Sequence, residues 1–132
     1  RARTSSQLNT TDIPLGVAVL GWQQEYTAAH NFKSITLNDA PSVSWDLASG
    51  QVAKLTLGGS RTLANPTNPK DGGTYILVVT QGQAVYTLAY GDRYKWPNGV
   101  PPVIGATLGC RNVLTFVYDG TNMLGAGSVN YF

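Results

Sequence analysis

At 132 residues the chain is one domain long, and a fold of this size buries roughly two thirds of the surface that its unfolded form exposes. Hydrophobic residues are 42% of the chain, which excludes a disordered tail, and no apolar run reaches the roughly 18 residues of a membrane-spanning helix. Charged residues are only 12% with a net charge of +2, which excludes an electrostatic nucleic-acid binder, and a single cysteine and single histidine exclude an intrachain disulfide and argue against a zinc site.

Residues 1–12 are polar and without periodicity, and read as an extended lead-in. The next segment, 13–22 (IPLGVAVLGW), is apolar but too short and Gly-rich for an isolated helix. It lacks the basic flank and cleavage site of a secretory leader. A segment this apolar must bury itself, and a second copy of the chain is a suitable cover for Ile13, Leu15, Val17, Val19, Leu20 and Trp22. Residues 23–32 (QQEYTAAHNF) are the one stretch that reads as a short helical turn. Residues 1–32 are therefore expected to form a stalk, extended or helical, ahead of one β domain over 33–132.

From Lys33 onward the period is two. Ile35 and Leu37, then Val43, Trp45 and Leu47, then Ala53, Leu55 and Leu57, alternate with polar residues, as half-buried strands do. Asn38-Asp39-Ala40-Pro41, Ser49-Gly50 and Gly58-Gly59 mark the turns between them. Residues 65–73 (NPTNPKDGG) form a long turn, and 74–80 (TYILVVT) a β-branched run suited to a strand covered on both faces. Tyr86, Leu88 and Tyr90 share one strand face. Residues 91–108 form a loop broken by proline and glycine. Residues 112–118 read as a strand, Asp119-Gly120 as a hairpin turn, and 122–132 as the last strand. The spacing predicts an all-β fold of about eight strands, a sandwich or a meander, and the fold expected is an antiparallel β-sandwich of jelly-roll type.

Chemistry is sparse. The seven acids fall mostly in or beside turns, where Asx hydrogen bonding explains them, and no pair has the spacing of a glycosidase. His30 would have to serve any Ser/His/Asp triad, yet no G-x-S-x-G elbow exists. Cys110 has no nearby histidine and reads as a small buried hydrophobe. No phosphate-binding loop or other cofactor motif is present, and no enzymatic activity is expected.

Aromatics remain. Tyr90, Tyr94 and Trp96 lie close together, with Asp92, Arg93, Lys95 and Asn98 between and beside them. Flat aromatic faces suit the apolar C–H faces of sugars, and charged or amide groups suit their hydroxyl rims. A loop on a rigid β scaffold is a common place for such a site. For Trp96 a place in the core beneath the loop is the favoured role. Tyr94 and its charged neighbours are expected at the surface.

The runs GSRTLANPTNPKDGGTYILVVTQ, YTLAYGDRYKWPNGVPP and NVLTFVYDGTNMLGAGSVNYF, in this order, resemble the C-terminal domain of tailed-bacteriophage fibre and tail-spike-like virion proteins. The segment EYTAAHNF resembles the linker that precedes such domains, so the likeness spans about residues 25–132. Cys110 is the one visible departure. The resemblance implies a homotrimer on the virion surface. It would attach to other virion proteins through the N-terminal segment and bind a bacterial surface polysaccharide, with neither nucleic acid nor membrane insertion involved. It implies no particular binding residue. A non-catalytic structural virion part, such as a head fibre, decoration protein or connector, is the alternative. A depolymerase would need a longer chain and an acid pair.

Overall fold

The computed structural model describes residues 21–23 and 25–132. The chain divides between Asn31 and Phe32 into two units. In the first, the described residues form bends rather than the helical turn expected over 23–32. All of them are exposed, so no apolar face is buried that could offset the cost of nucleating a short helix. The rings of Tyr26 and His30 stack there, with centroids 4.3 Å apart. Of the residues expected at an interchain seam, Ile13, Leu15, Val17, Val19 and Leu20 lie outside the described residues, and Trp22 is 62% exposed.

The second unit is all-β. Its strands are β1 (Ser34–Thr36), β2 (Ser42–Val43), β3 (Val52–Leu57), β4 (Arg61–Leu63), β5 (Thr74–Gln81), β6 (Leu88–Tyr90), β7 (Tyr94–Lys95), β8 (Arg111–Tyr118) and β9 (Met123–Tyr131). They form a six-stranded sheet ordered β1-β3-β5-β8-β9-β7 and a three-stranded sheet ordered β2-β4-β6. From β1 to β7 the chain alternates between the two sheets.

This winding corrects the expectation of an antiparallel fold. β1, β3 and β5 run parallel, with Ser34 opposite Val52 and Val52 opposite Ile76, and so do β2, β4 and β6. β7 also joins β9 in parallel. Only β5–β8 and β8–β9 are antiparallel. Parallel neighbours need a crossover, and here a strand of the opposite sheet supplies it in place of the usual helix. The turns near Asp39, Ser49 and Gly58 were recognisable as turns. They carry the chain across to the other sheet instead of back along the same one.

One hydrophobic core draws on both sheets: Val43 and Leu63 from the smaller, Leu55, Leu77, Leu114 and Phe116 from the larger. The period-two pattern explains it. Ala53, Leu55 and Leu57 of β3, and Tyr75, Leu77 and Val79 of β5, all point inward. The outer-face residues of β5, Ile76, Val78 and Thr80, are half-buried rather than covered. Trp45 is fully buried, with its ring edge-on to Tyr75 and Phe116. Its Nε1–H has no hydrogen-bond partner. That costs about 1–3 kcal/mol. Burying an indole of about 200 Å² contributes about 5 kcal/mol, so the site stays favourable.

Asp39 ties successive laps together. It accepts hydrogen bonds from Arg61 Nε at 2.8 Å and Nη2 at 2.9 Å, and from the Gly58 backbone N–H at 3.1 Å. The Arg61 hydrogen bond, helped by its charge, holds the Asp39 carboxyl below its ordinary value of 3.8. A depressed folded-state pKa gives stability that is present above the unfolded value and lost as pH falls through the folded one. The pair is partly exposed and solvent-screened, so the effect is modest. Asp39→Asn is expected to lower Tm at pH 7 by a few degrees, and this gap should shrink below about pH 4. A gap of equal size at pH 2.5 and pH 7 would contradict the role of the ionised pair.

Candidate functional site

The second unit carries a cleft of about 590 Å³. It is lined by the segment leading into and through β6, by the stretch around Pro102 and Ile104, and by β7 with Trp96. Its volume falls in the range of small-ligand sites.

The floor is an aromatic cluster. Trp96 lies 4.7 Å from Tyr90 and 5.5 Å from Phe116, and Tyr94 lies 5.4 Å from Phe116, measured between ring centroids. The interplanar angles are near 60°, the tilted arrangement that ring quadrupoles favour. Phe116 is an inward residue of β8. Gly125, on β9, makes room for the cluster. A Cβ there would stand 2.6 Å from the Phe116 ring and 2.7 Å from Trp96 Cζ3.

Of the sequence-predicted residues, the fold brings Tyr90, Asp92, Tyr94, Lys95 and Trp96 to the cleft. Trp96 is half-buried: it packs against the core, as expected, and also faces the cleft. Tyr94 corrects the sequence reading. It is 4% exposed, because β7 pairs with β9 and turns the ring inward, where its hydroxyl donates to the Ala64 carbonyl at 3.0 Å. The Tyr90 hydroxyl donates to the Pro102 carbonyl at 3.4 Å. Burial pushes the Tyr90 phenol up to about 12 and raises that of Tyr94 as well, so both stay protonated donors near neutral pH.

Arg93 and Asn98 are not among the lining residues. Arg93 Nη1 donates to the Thr121 carbonyl at 3.2 Å, towards the β8–β9 turn. Asn98 occupies the left-handed region at φ 57° within the 3₁₀ turn Pro97–Gly99, a conformation that asparagine tolerates. Its side chain is exposed on that turn.

Sequence reasoning missed Asn65, which shapes the rim. Its Nδ2 donates to Asp92 Oδ1 at 2.7 Å, and its Oδ1 accepts from the Arg93 backbone N–H at 2.9 Å. The Asn65 hydrogen bond, with the charges of Arg93 and Lys95, lowers the Asp92 pKa. A Cβ on Gly91 would collide with the Asn65 amide, so only glycine fits there.

Two buried amides set the walls. Gln81 Nε2 donates to the carbonyls of Tyr86 at 2.8 Å and Gly105 at 2.9 Å, while its Oε1 accepts from the Tyr86 N–H at 3.0 Å. Asn112 Oδ1 accepts from the N–H groups of Gly105 at 2.7 Å and Asn130 at 3.0 Å. Asn112 Nδ2 donates to the Val79 carbonyl at 3.2 Å. Cys110, beside them, is buried. No protein-family model, curated protein or solved structure matches the chain.

Gly125→Ala is expected to push Trp96 off the floor, because the fully buried Phe116 cannot yield. Overpacking of this kind costs about 1–3 kcal/mol. The check is a displaced Trp96 indole resonance together with a lower urea midpoint. An unmoved resonance at unchanged stability would contradict the packing described.

Proposed function

We propose that the chain is the tip domain of a bacteriophage virion fibre, a homotrimer on the virion surface that binds a bacterial surface glycan during adsorption. The cleft carries this reading: an aromatic, apolar floor for a sugar's C–H face, with Asp92 and Lys95 on its rim for hydroxyls. The placement on a virion rests on the ordered motifs of residues 25–132 and not on the cleft. In this reading the two sheets make a sandwich-like head, and Ile13, Leu15, Val17, Val19, Leu20 and Trp22 pack between copies in the stalk.

Binding without catalysis fits the titration behaviour. A glycosidase acid needs a carboxyl held protonated near neutral pH. Asp92 is shifted the other way, and the buried phenols are too weakly acidic to act as bases. Threefold repetition strengthens binding through individually weak sites. Weak sites acting together can gain about 10²- to 10⁴-fold in avidity.

One observation favours a second reading, a structural head fibre, decoration protein or connector. Val103, on the cleft lip, is 84% exposed, and Val100 nearby is 68% exposed. A neighbouring virion protein would cover such residues.

The test pairs native mass with cell binding. A mass of about 42 kDa, three times 14.1 kDa, is expected, together with binding to host cells that falls at least tenfold in the exposed double variant Asp92→Ala, Lys95→Ala. A 14.1 kDa particle would contradict the trimer. Unchanged adsorption by particles lacking the protein would contradict receptor binding and favour the structural reading.

A further inference from the structure

We infer that the cleft selects saccharides by a methyl-bearing substituent, the methyl of a 6-deoxy sugar or of an acetyl group, rather than by ring hydroxyls alone. This rests on the glycan-binding reading and narrows it. Gln81 Nε2 holds the carbonyls of both Tyr86 and Gly105, so Val103 and Ile104 stand near the segment that enters β6, whereas Asp92 and Lys95 follow its far end. Within the cleft, the Tyr90 hydroxyl is committed to Pro102 and that of Tyr94 to Ala64. The surrounding surface is aliphatic: Val85, Leu88, Pro102, Val103 and Ile104. Thr87, Asp92 and Lys95 supply polar groups elsewhere along the lining.

A sugar laid on Trp96 therefore meets two environments. The edge turned to Asp92 and Lys95 can keep its hydroxyls bonded. The edge turned to Val103 and Ile104 meets aliphatic side chains. A hydroxyl pressed against the buried Ile104, with Val103 closing over it from the lip, loses water without gaining a side-chain partner, which costs affinity. A methyl group there gains roughly fourfold for each methylene-sized unit buried. Together the two effects amount to a preference of about tenfold or more for the methyl-bearing sugar over its hydroxylated counterpart. The volume of about 590 Å³ suits a small ligand of this kind better than a folded partner, whose contact surface would be broader and flatter.

Matched free sugars test the inference on the full chain. L-fucose is compared with L-galactose and L-rhamnose with L-mannose for the deoxy methyl, and N-acetylglucosamine with glucose for the acetyl. Each is titrated while the Trp96 indole and the Val103 and Ile104 methyl resonances are followed. At least one methyl-bearing sugar is expected to bind tenfold or more tightly than its counterpart, with shifts at all three residues. Val103→Asn should reduce that ratio to about threefold or less, and Val103 is exposed enough for the variant to fold. Equal or tighter binding of the hydroxylated counterparts at the cleft would overturn the selectivity and leave glycan binding standing. Shifts confined to residues outside the cleft would overturn the site. No shift with any of the six sugars would overturn both the inference and the reading beneath it.

Discussion

Both walls of the cleft depend on two side-chain amides that have no contact with solvent. Gln81 closes β5 and Asn112 opens the buried face of β8, and between them they grip the Gly105 backbone by its carbonyl and its N–H. Gln81 also holds the backbone of Tyr86, in the segment that leads into β6. One buried amide thus sets the distance between two loops that share no strand. Each such hydrogen bond contributes only about 1 kcal/mol net, but a buried group stranded without a partner costs about 1–3 kcal/mol. The network is therefore strongly favoured when complete. Residues 101–106, rich in proline and lying outside any strand, are placed by it rather than by a ladder.

The winding of the chain makes this grip possible. Alternation between sheets brings β5 to the middle of the larger sheet, with β3 on one side and β8 on the other. Gln81 and Asn112 then emerge near the same end of adjacent antiparallel strands, where Val79 pairs with Asn112. The aromatic floor depends on the same sheet, through Phe116 on β8 and the space above Gly125 on β9. A recess fixed this way is ordered before a ligand arrives, which lowers the entropic cost of binding.

Much of this was legible in the residues. The alternation in β3 identified its inward positions, whereas the unbroken apolar run of β5 hid its alternation; Asp119-Gly120 marked the hairpin, whose turn the Asp119 carboxylate closes by accepting from the N–H groups of Thr121 and Asn122. Strand partners were not legible, because a turn motif says where a chain bends and not which strand it will lie beside. β4 and β7 are too short for periodicity to register, and missing β7 is why Tyr94 was expected at the surface. The signal for the amides was present. Gln81 follows Tyr75, Leu77 and Val79 at inward spacing, and Asn112 precedes Leu114 and Phe116 in the same way. A polar residue in register with a core face needs a buried partner, and here the partner is the loop that walls the cleft.

Amide hydrogen exchange at Gly105 tests the central claim most directly, since it reads the gripped peptide itself. The Gly105 N–H is expected to exchange as slowly as the amides of β5 and β8, opening only with the core. Exchange as fast as that of an exposed turn amide would mean that the loop moves independently of Gln81 and Asn112, and the cleft would not be a preformed site.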